Sequence, residues 1–222
     1  MTDWMPMGEE QSAVQVASIL EELGNSPQDV LDVGCGNGRL LVPLAQAGHR
    51  VLGIDVDKQA VESASKVCKD ASVAVQLKTG CLFSLLPLAD KVDAIVCCGH
   101  TFMLLHAIDD ALEALCLFKR SLRKGGVVIF DDIPGELWCE VAEGNWANGV
   151  SEDGTMQMVW AADDAVFTIR EGDSVDEDSW ELKETDTQLR LWTMGSLRLL
   201  ANVATLSAPE IPVTGAILVM RA

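Results

Sequence analysis

Glycines recur at every second position, Gly34, Gly36 and Gly38, in the stretch VLDVGCGNGRL spanning residues 30–40. Glycine tolerates backbone conformations closed to other residues and lets a ligand approach the main chain closely. The helical pattern that follows would offer free N–H groups to an anionic group. Further along, His100 stands in CCGHTF after an apolar run. An imidazole there can take a proton near neutral pH, so His100 is a candidate general base; the plainer alternative is that it lines a pocket or bonds a carbonyl. Tyr is absent from the chain, so no phenol can take that role. His106 reads as structural and His49 as solvated. The adjacent carboxylates Asp131 and Asp132 could hold an ammonium group or a metal, but no further ligand set accompanies them. The acidic run DSVDEDSWE (173–181) lacks the spacing and central glycine of an EF-hand loop and reads as a solvated turn.

These residues must be positioned by regular elements, and the hydrophobic pattern supplies them. Val14, Val16, Ala17, Ile19, Leu20 and Leu23 follow a near-helical period, stopped at Gly24-Asn25, and predict a helix over 8–23. Short apolar runs predict strands over 29–35, 50–57, 73–80, 92–99 and 124–133, with helices over 39–48, 58–70 and 110–122 between them. Residues 82–88 read as a loop or short helix. Strands alternating with helices argue for a parallel sheet covered on both faces, made doubly wound by right-handed crossovers. After Gly135 the period changes. Met156, Met158 and Trp160 alternate, as do Trp180 and Leu182, then Leu189 and Leu191, which predicts antiparallel strands over about 155–192. A last helix over 195–207 and a closing strand over 215–221 complete the pattern. The expectation is one α/β domain over 1–222, with a mostly parallel seven-stranded sheet. It divides into an N-terminal helix (1–28), a core (29–133), an acidic insertion (134–192) and a closing unit (193–222).

In open α/β sheets, ligands bind beyond the carboxyl ends of the strands, where strand order reverses. The dinucleotide fingerprint G-x-G-x-x-G fails here, because its last glycine would fall on Arg39 or on Leu41. A phosphate-binding P-loop fails as well, for want of a following Gly-Lys-Ser/Thr. The 34–36–38 spacing instead resembles the loop of class I S-adenosylmethionine-dependent methyltransferases. The similarity continues through GIDVD (53–57), which places Asp55 at the end of the second strand, and LRKGGVVIFDD (122–132), and it covers about residues 29–133. The resemblance implies that Asp32 and the backbone from Gly34 through Cys35 and Gly36 to Gly38 hold the methionine end of that cofactor. It implies that Asp55 accepts from both ribose hydroxyls with its two oxygens, that Val56 packs on the adenine, and that Cys81-Leu82 meets the adenine edge. Many family members carry Asp where this chain has Cys81. Cys98 and Gly99 would lie beside the sulfonium. Trp4 and Trp138 are placed to help close an acceptor pocket, and Trp146, Trp160, Trp180 and Trp192 to fill the core of the inserted sheet. The implied reaction is methyl transfer to a small molecule, with S-adenosylhomocysteine as product. The same fold also serves aminopropyl transfer or cofactor binding without turnover.

Composition narrows the partners. Sixteen basic against 34 acidic residues leave a formal charge of −18. Between Asp131 and Asp186 there are 17 acids and two bases, a net of 2 − 17 = −15. Such a surface repels phosphate backbones, so nucleic acid is disfavoured as partner, and cationic or neutral acceptors are favoured over anionic ones. The same charges on an outer face would serve only solubility. Seven cysteines without C-x-x-C argue against a zinc site or a disulfide framework and for a reducing cytosol, and read as small apolar core residues. No membrane span or signal peptide is expected. The antiparallel strands present edges along which two chains could pair.

Overall fold

The apolar runs of the first half fold as strands: β1 (Asp29–Val33), β2 (Arg50–Asp55), β3 (Gln76–Thr79), β4 (Val92–Cys97) and β5 (Leu122–Phe130). All are largely buried except the edge strand β3, whose residues are mostly exposed. The computed structural model describes residues 8–131 and 149–222. Between the strands run α1 (Glu9–Leu23), α2 (Leu41–Gln46), α3 (Lys58–Asp70), the short α4 (Leu82–Leu85) and α5 (Ile108–Ser121). After β5 come β6 (Met156–Trp160), β7 (Val166–Glu171), β8 (Leu189–Arg190), α6 (Met194–Val203) and β9 (Leu218–Arg221).

The main sheet has the order β3-β2-β1-β4-β5-β9, parallel except for β9. It holds six strands among the described residues, which corrects the expected seven. In place of the seventh, Glu210 forms an isolated bridge to Val219. Pro209 and Pro212 flank that bridge, and proline has no N–H to extend a ladder. Strand order reverses between β1 and β4, so the crevice lies beyond Val33 and Cys97.

Because successive side chains point to opposite faces, each strand feeds two cores. Leu31, Val33, Ile95, Cys97, Val128 and Phe130 pack with α5, α6 and the small sheet. Val30, Ala94, Val96, Val127 and Ile129 pack with α1, α2 and α3. Continuing that second stripe by two residues on β1, β4 and β5 reaches Asp32, Cys98 and Asp131. All three are buried, and all point toward the face that α1 covers.

Helix α1 is rotated from its sequence expectation. Val14 is 49% exposed, while Gln15, Ser18, Ile19 and Leu23 are buried. That set also has helical spacing, but two of its four members are polar, which hid it from a purely apolar pattern.

The expected antiparallel strands form a separate sheet, β6-β7-β8. Met158, Phe167 and Leu189 turn one face into the main core, and Trp160 stacks on Phe167 with ring centroids 4.7 Å apart. On the other face Arg170 is a buried staple. Its guanidinium donates to both oxygens of Asp186, to Gln157 Oε1 and to the carbonyls of Ser179 and Glu181. This ties down the segment read as a solvated turn. Trp180 and Leu182 lie outside any strand, and Trp180, expected in the core, is 44% exposed. Trp192 is buried, and its Nε1 donates to the Phe102 carbonyl at 3.3 Å. Arg190 donates to the His106 carbonyl and pairs with Asp164, so β8 is fastened to the segment that follows β4. Among the described residues no helix is long and apolar enough to cross a membrane.

Candidate functional site

A cavity of about 640 Å³ opens at the strand-order reversal, within the range of small-molecule sites. It is lined by Asp32, Gly34, Cys35, Gly36, Asp55, Val56, Cys81, Leu82, Cys98, Gly99 and His100, residues brought together from the ends of β1, β2, β3 and β4. Gly38, named with them from sequence, does not line it. Its φ of +89° turns the chain against α3, where an added Cβ would stand 3.1 Å from the Ala64 Cβ. It therefore seats the loop on its neighbour.

The loop's shape follows from its residues. Gly34 N–H and Cys35 N–H both donate to the Ile54 carbonyl, which draws the start of the loop over β2. Gly34 has φ +73°, and a Cβ there would come within 2.5 Å of Thr101 Cγ2. The loops after β1 and β4 are thus interlocked at a position only glycine can fill. A Cβ on Gly36 or Gly99 would meet no protein atom within 4 Å, so at these two lining positions the main chain itself faces open space.

Asp55, at the end of β2, is 6% exposed. Its Oδ2 accepts Gly36 N–H at 2.8 Å and its Oδ1 accepts Asp57 N–H at 2.9 Å. A carboxylate has about four acceptor positions, so lone pairs remain on both oxygens for a pair of hydroxyls. The cap of α3 is the next acid, Asp57, which accepts from Gln59 N–H and Ala60 N–H.

Asp32 is 2% exposed and lines the cavity. No group among the described residues donates a hydrogen bond to its carboxyl. Burial pushes its pKa up to about 7, Asp55 and Asp131 push the same way, and Arg39 opposes them. A buried carboxyl facing a cavity without a donor of its own suits a cationic ligand group.

His100 adopts a left-handed backbone, φ +58° and ψ +18°, at the head of the 3-10 turn Thr101–Leu104. Asp131 holds it there: its Oδ2 accepts Gly99 N–H at 2.6 Å and its Oδ1 accepts His100 N–H at 3.2 Å. Asp131 is therefore turned inward as a backbone acceptor, not outward as half of a metal or ammonium site. Asp132, its expected partner, lies outside the described residues, as do Trp4, Trp138 and Trp146. His49, read as solvated, is 6% exposed and accepts Gln28 N–H on Nδ1, and burial lowers its pKa.

The cysteines divide. Cys35 and Cys98 are buried, and burial pushes Cys35 up to about 12 and Cys98 upward as well, so both stay protonated. Cys81 departs from the expected core role: it is exposed, at the N-cap of α4 on the cavity wall. Arg39 and Thr101 also line the cavity without having been singled out. Arg39 enters the sequence argument only as the residue that spoils a dinucleotide pattern. Thr101 could have been found from Gly34, since a crowded glycine implies a neighbour.

Residues 30–126 match the family model described as a methyltransferase domain. Over 127 residues the chain is 30% identical to the ribosomal protein L11 methyltransferase of Campylobacter concisus, covering 57% of this chain and 42% of that one. Over 117 residues it is 34% identical to the magnesium-protoporphyrin O-methyltransferase of Synechocystis, covering 52% and 50%. The chain thus spans about half the length of these relatives. Its fold is similar to that of a SAM-bound amino pentose methyltransferase from Micromonospora echinaspora, with a TM-score of 0.65, 16% identity, and coverage of 99% of this chain and 93% of that one.

Proposed function

We propose that this chain transfers a methyl group from S-adenosylmethionine to a small amine or neutral acceptor, a reading supported by the match of residues 30–126 to the methyltransferase-domain model and by a fold similar to that of a S-adenosylmethionine-dependent methyltransferase. The observation that carries this is the pairing of two acids in one cavity. Asp55 is oriented by two backbone N–H groups with lone pairs to spare for the ribose hydroxyls. Asp32 is buried, without a donor, and suited to the amino group of the methionine end. Backbone at Gly34 to Gly36 would lie along that end, with Val56, Cys81 and Leu82 at the adenine and Cys98 and Gly99 near the sulfur.

The chemistry supplied there is displacement at a sulfonium methyl. The chain's own part is to hold the nucleophile in line and exclude water, which can account for much of the acceleration. His100 has the place for a base that takes the acceptor's proton. Asp32, Asp55 and Asp57 against Arg39 make the lining residues net acidic, which supports a cationic or neutral acceptor. Relatives carry names for protein, porphyrin and quinone-pathway substrates, and the small-molecule assignment rests on the cavity's size.

Incubation with methyl-labelled S-adenosylmethionine and a panel of amines, neutral alcohols and carboxylates tests this. Label should appear in an amine or neutral product heavier by one methyl in place of one hydrogen. An aminopropyl product, or label confined to carboxylates, would contradict the assignment.

A further inference from the structure

Helix α1 reaches the cavity's two main loops through one side chain. Gln15 is 2% exposed. Its Oε1 accepts from Arg39 Nη2 at 2.6 Å, and its Nε2 donates to Asp131 Oδ2 at 2.9 Å. The amide's orientation is fixed by chemistry: a guanidinium only donates, so the amide oxygen must face Arg39 and the amide nitrogen Asp131. Arg39, which also donates to Ser12 on α1, stands in the loop after β1. Asp131 in turn takes the N–H groups of Gly99 and His100 in the loop after β4. A continuous line of hydrogen bonds thus runs from Arg39 through Gln15 and Asp131 to the His100 backbone.

The need for such a line is local. A histidine in the left-handed region is strained and keeps that conformation only when its surroundings over-determine it. Asp131 supplies the two acceptors, and a buried carboxylate with two backbone donors can still pivot about its own side-chain torsions. The third donor, from Gln15, removes that freedom.

We propose that Gln15 is a positioning residue: by donating to Asp131 it fixes the Gly99–His100 backbone at the cavity, and by accepting from Arg39 it ties the two ligand loops to helix α1. The consequence for cofactor affinity rests on the methyltransferase proposal; the positioning itself does not. Met has nearly the volume of Gln and neither polar group. If Gln15 merely fills space, Gln15→Met should behave as the parent.

The experiment is residue-resolved amide exchange on the full chain, with calorimetry of S-adenosylhomocysteine alongside. In Gln15→Met, exchange at Gly99 and His100 should quicken at least about tenfold while the β1 amides stay unchanged, and affinity should fall by about tenfold. Unchanged exchange at Gly99 and His100 would overturn the proposal. Should Gln15→Met fail to fold, Gln15→Glu decides. The introduced carboxylate keeps the Arg39 bond but cannot donate to Asp131 until protonated. Exchange at Gly99 and His100 should then exceed that of the parent at neutral pH and converge with it as pH falls. A variant matching the parent at neutral pH would overturn the proposal. If exchange responds as stated but the parent chain binds no S-adenosylhomocysteine, the positioning stands and the methyltransferase proposal fails.

Discussion

Asp32 and Asp55 sit in one cavity and answer to different physics. Asp55 is oriented by Gly36 N–H and Asp57 N–H, so Asp55→Ala should weaken cofactor binding at least tenfold, about 1.5–3 kcal/mol for a lost charged hydrogen bond. It should also lower the melting temperature, because two N–H groups lose their acceptor. Calorimetry and thermal unfolding read both; a change in stability with unaltered affinity would put the ribose elsewhere. Burial pushes the Asp32 carboxyl up from its ordinary 3.8 to about 7. A folded-state pKa raised above the unfolded one means the folded chain holds the extra proton between those values. Stability of the ligand-free protein should therefore decline as pH rises from about 3.8 to about 7 and level off above. Affinity for a cationic ligand should do the reverse, rising through pH 7 as the carboxyl ionises. Asp32→Asn should flatten both profiles, raise neutral-pH stability and weaken binding. Equal pH slopes in parent and variant would remove Asp32 from the site. The family resemblance singled out these two acids in the sequence, and both line the cavity. Gln15 was not singled out, because a polar residue inside a helical pattern is ordinarily taken as the solvent side.

At the scale of elements, the β-α alternation of residues 29–130 was readable because β1, β2, β4 and β5 are largely apolar and separated by helical periods, and α3 begins at its capping Asp57. Strand β3, expected over 73–80, is confined to Gln76–Thr79 and is mostly polar and exposed. The insertion was readable only in part. Met156, Met158 and Trp160 alternate as strand residues do, and they form β6. Trp180 and Leu182 alternate as well, yet that segment wraps a buried guanidinium, a long-range partnership that no local period records. The Arg170–Asp186 pair has side chains 2% and 9% exposed, so Arg170→Met should leave an uncompensated buried charge and cost about 3–5 kcal/mol. Arg170 holds the Asp186 pKa below its ordinary 3.8. That contribution is present above pH 3.8 and lost as pH falls through the lowered value, so the variant should also lose part of the parent's acid sensitivity. Denaturant unfolding at several pH values measures both, and a loss under about 1 kcal/mol would mean that water replaces the staple. The interlock of the two ligand loops is tested by Gly34→Ala. A Cβ 2.5 Å from Thr101 Cγ2, at φ +73°, should separate the loops and abolish ligand binding while the sheet persists in circular dichroism; retained binding would show that the loops have room to part.

Across the whole molecule, the cavity occupies the strand-order reversal of a doubly wound sheet, the place where that topology puts ligands. Net charge is the other whole-molecule property, −18 overall and −15 between Asp131 and Asp186. Part of the acidic stretch is spoken for, since Asp186, Asp176 and Asp164 pair with Arg170, Lys183 and Arg190. The remainder should draw amine acceptors to the cavity and repel carboxylates, and that preference should shrink with salt, because charges beyond about 8 Å are screened at physiological ionic strength. A preference for carboxylates that salt leaves unchanged would reduce the acidic stretch to a solubility device. All of this depends on one ligand. Calorimetry of the intact chain with S-adenosylmethionine, S-adenosylhomocysteine and NAD tests it most directly. The account predicts one-to-one binding of the first two, weakened at least tenfold by Asp55→Ala, and no heat from the third; binding of NAD alone would contradict it.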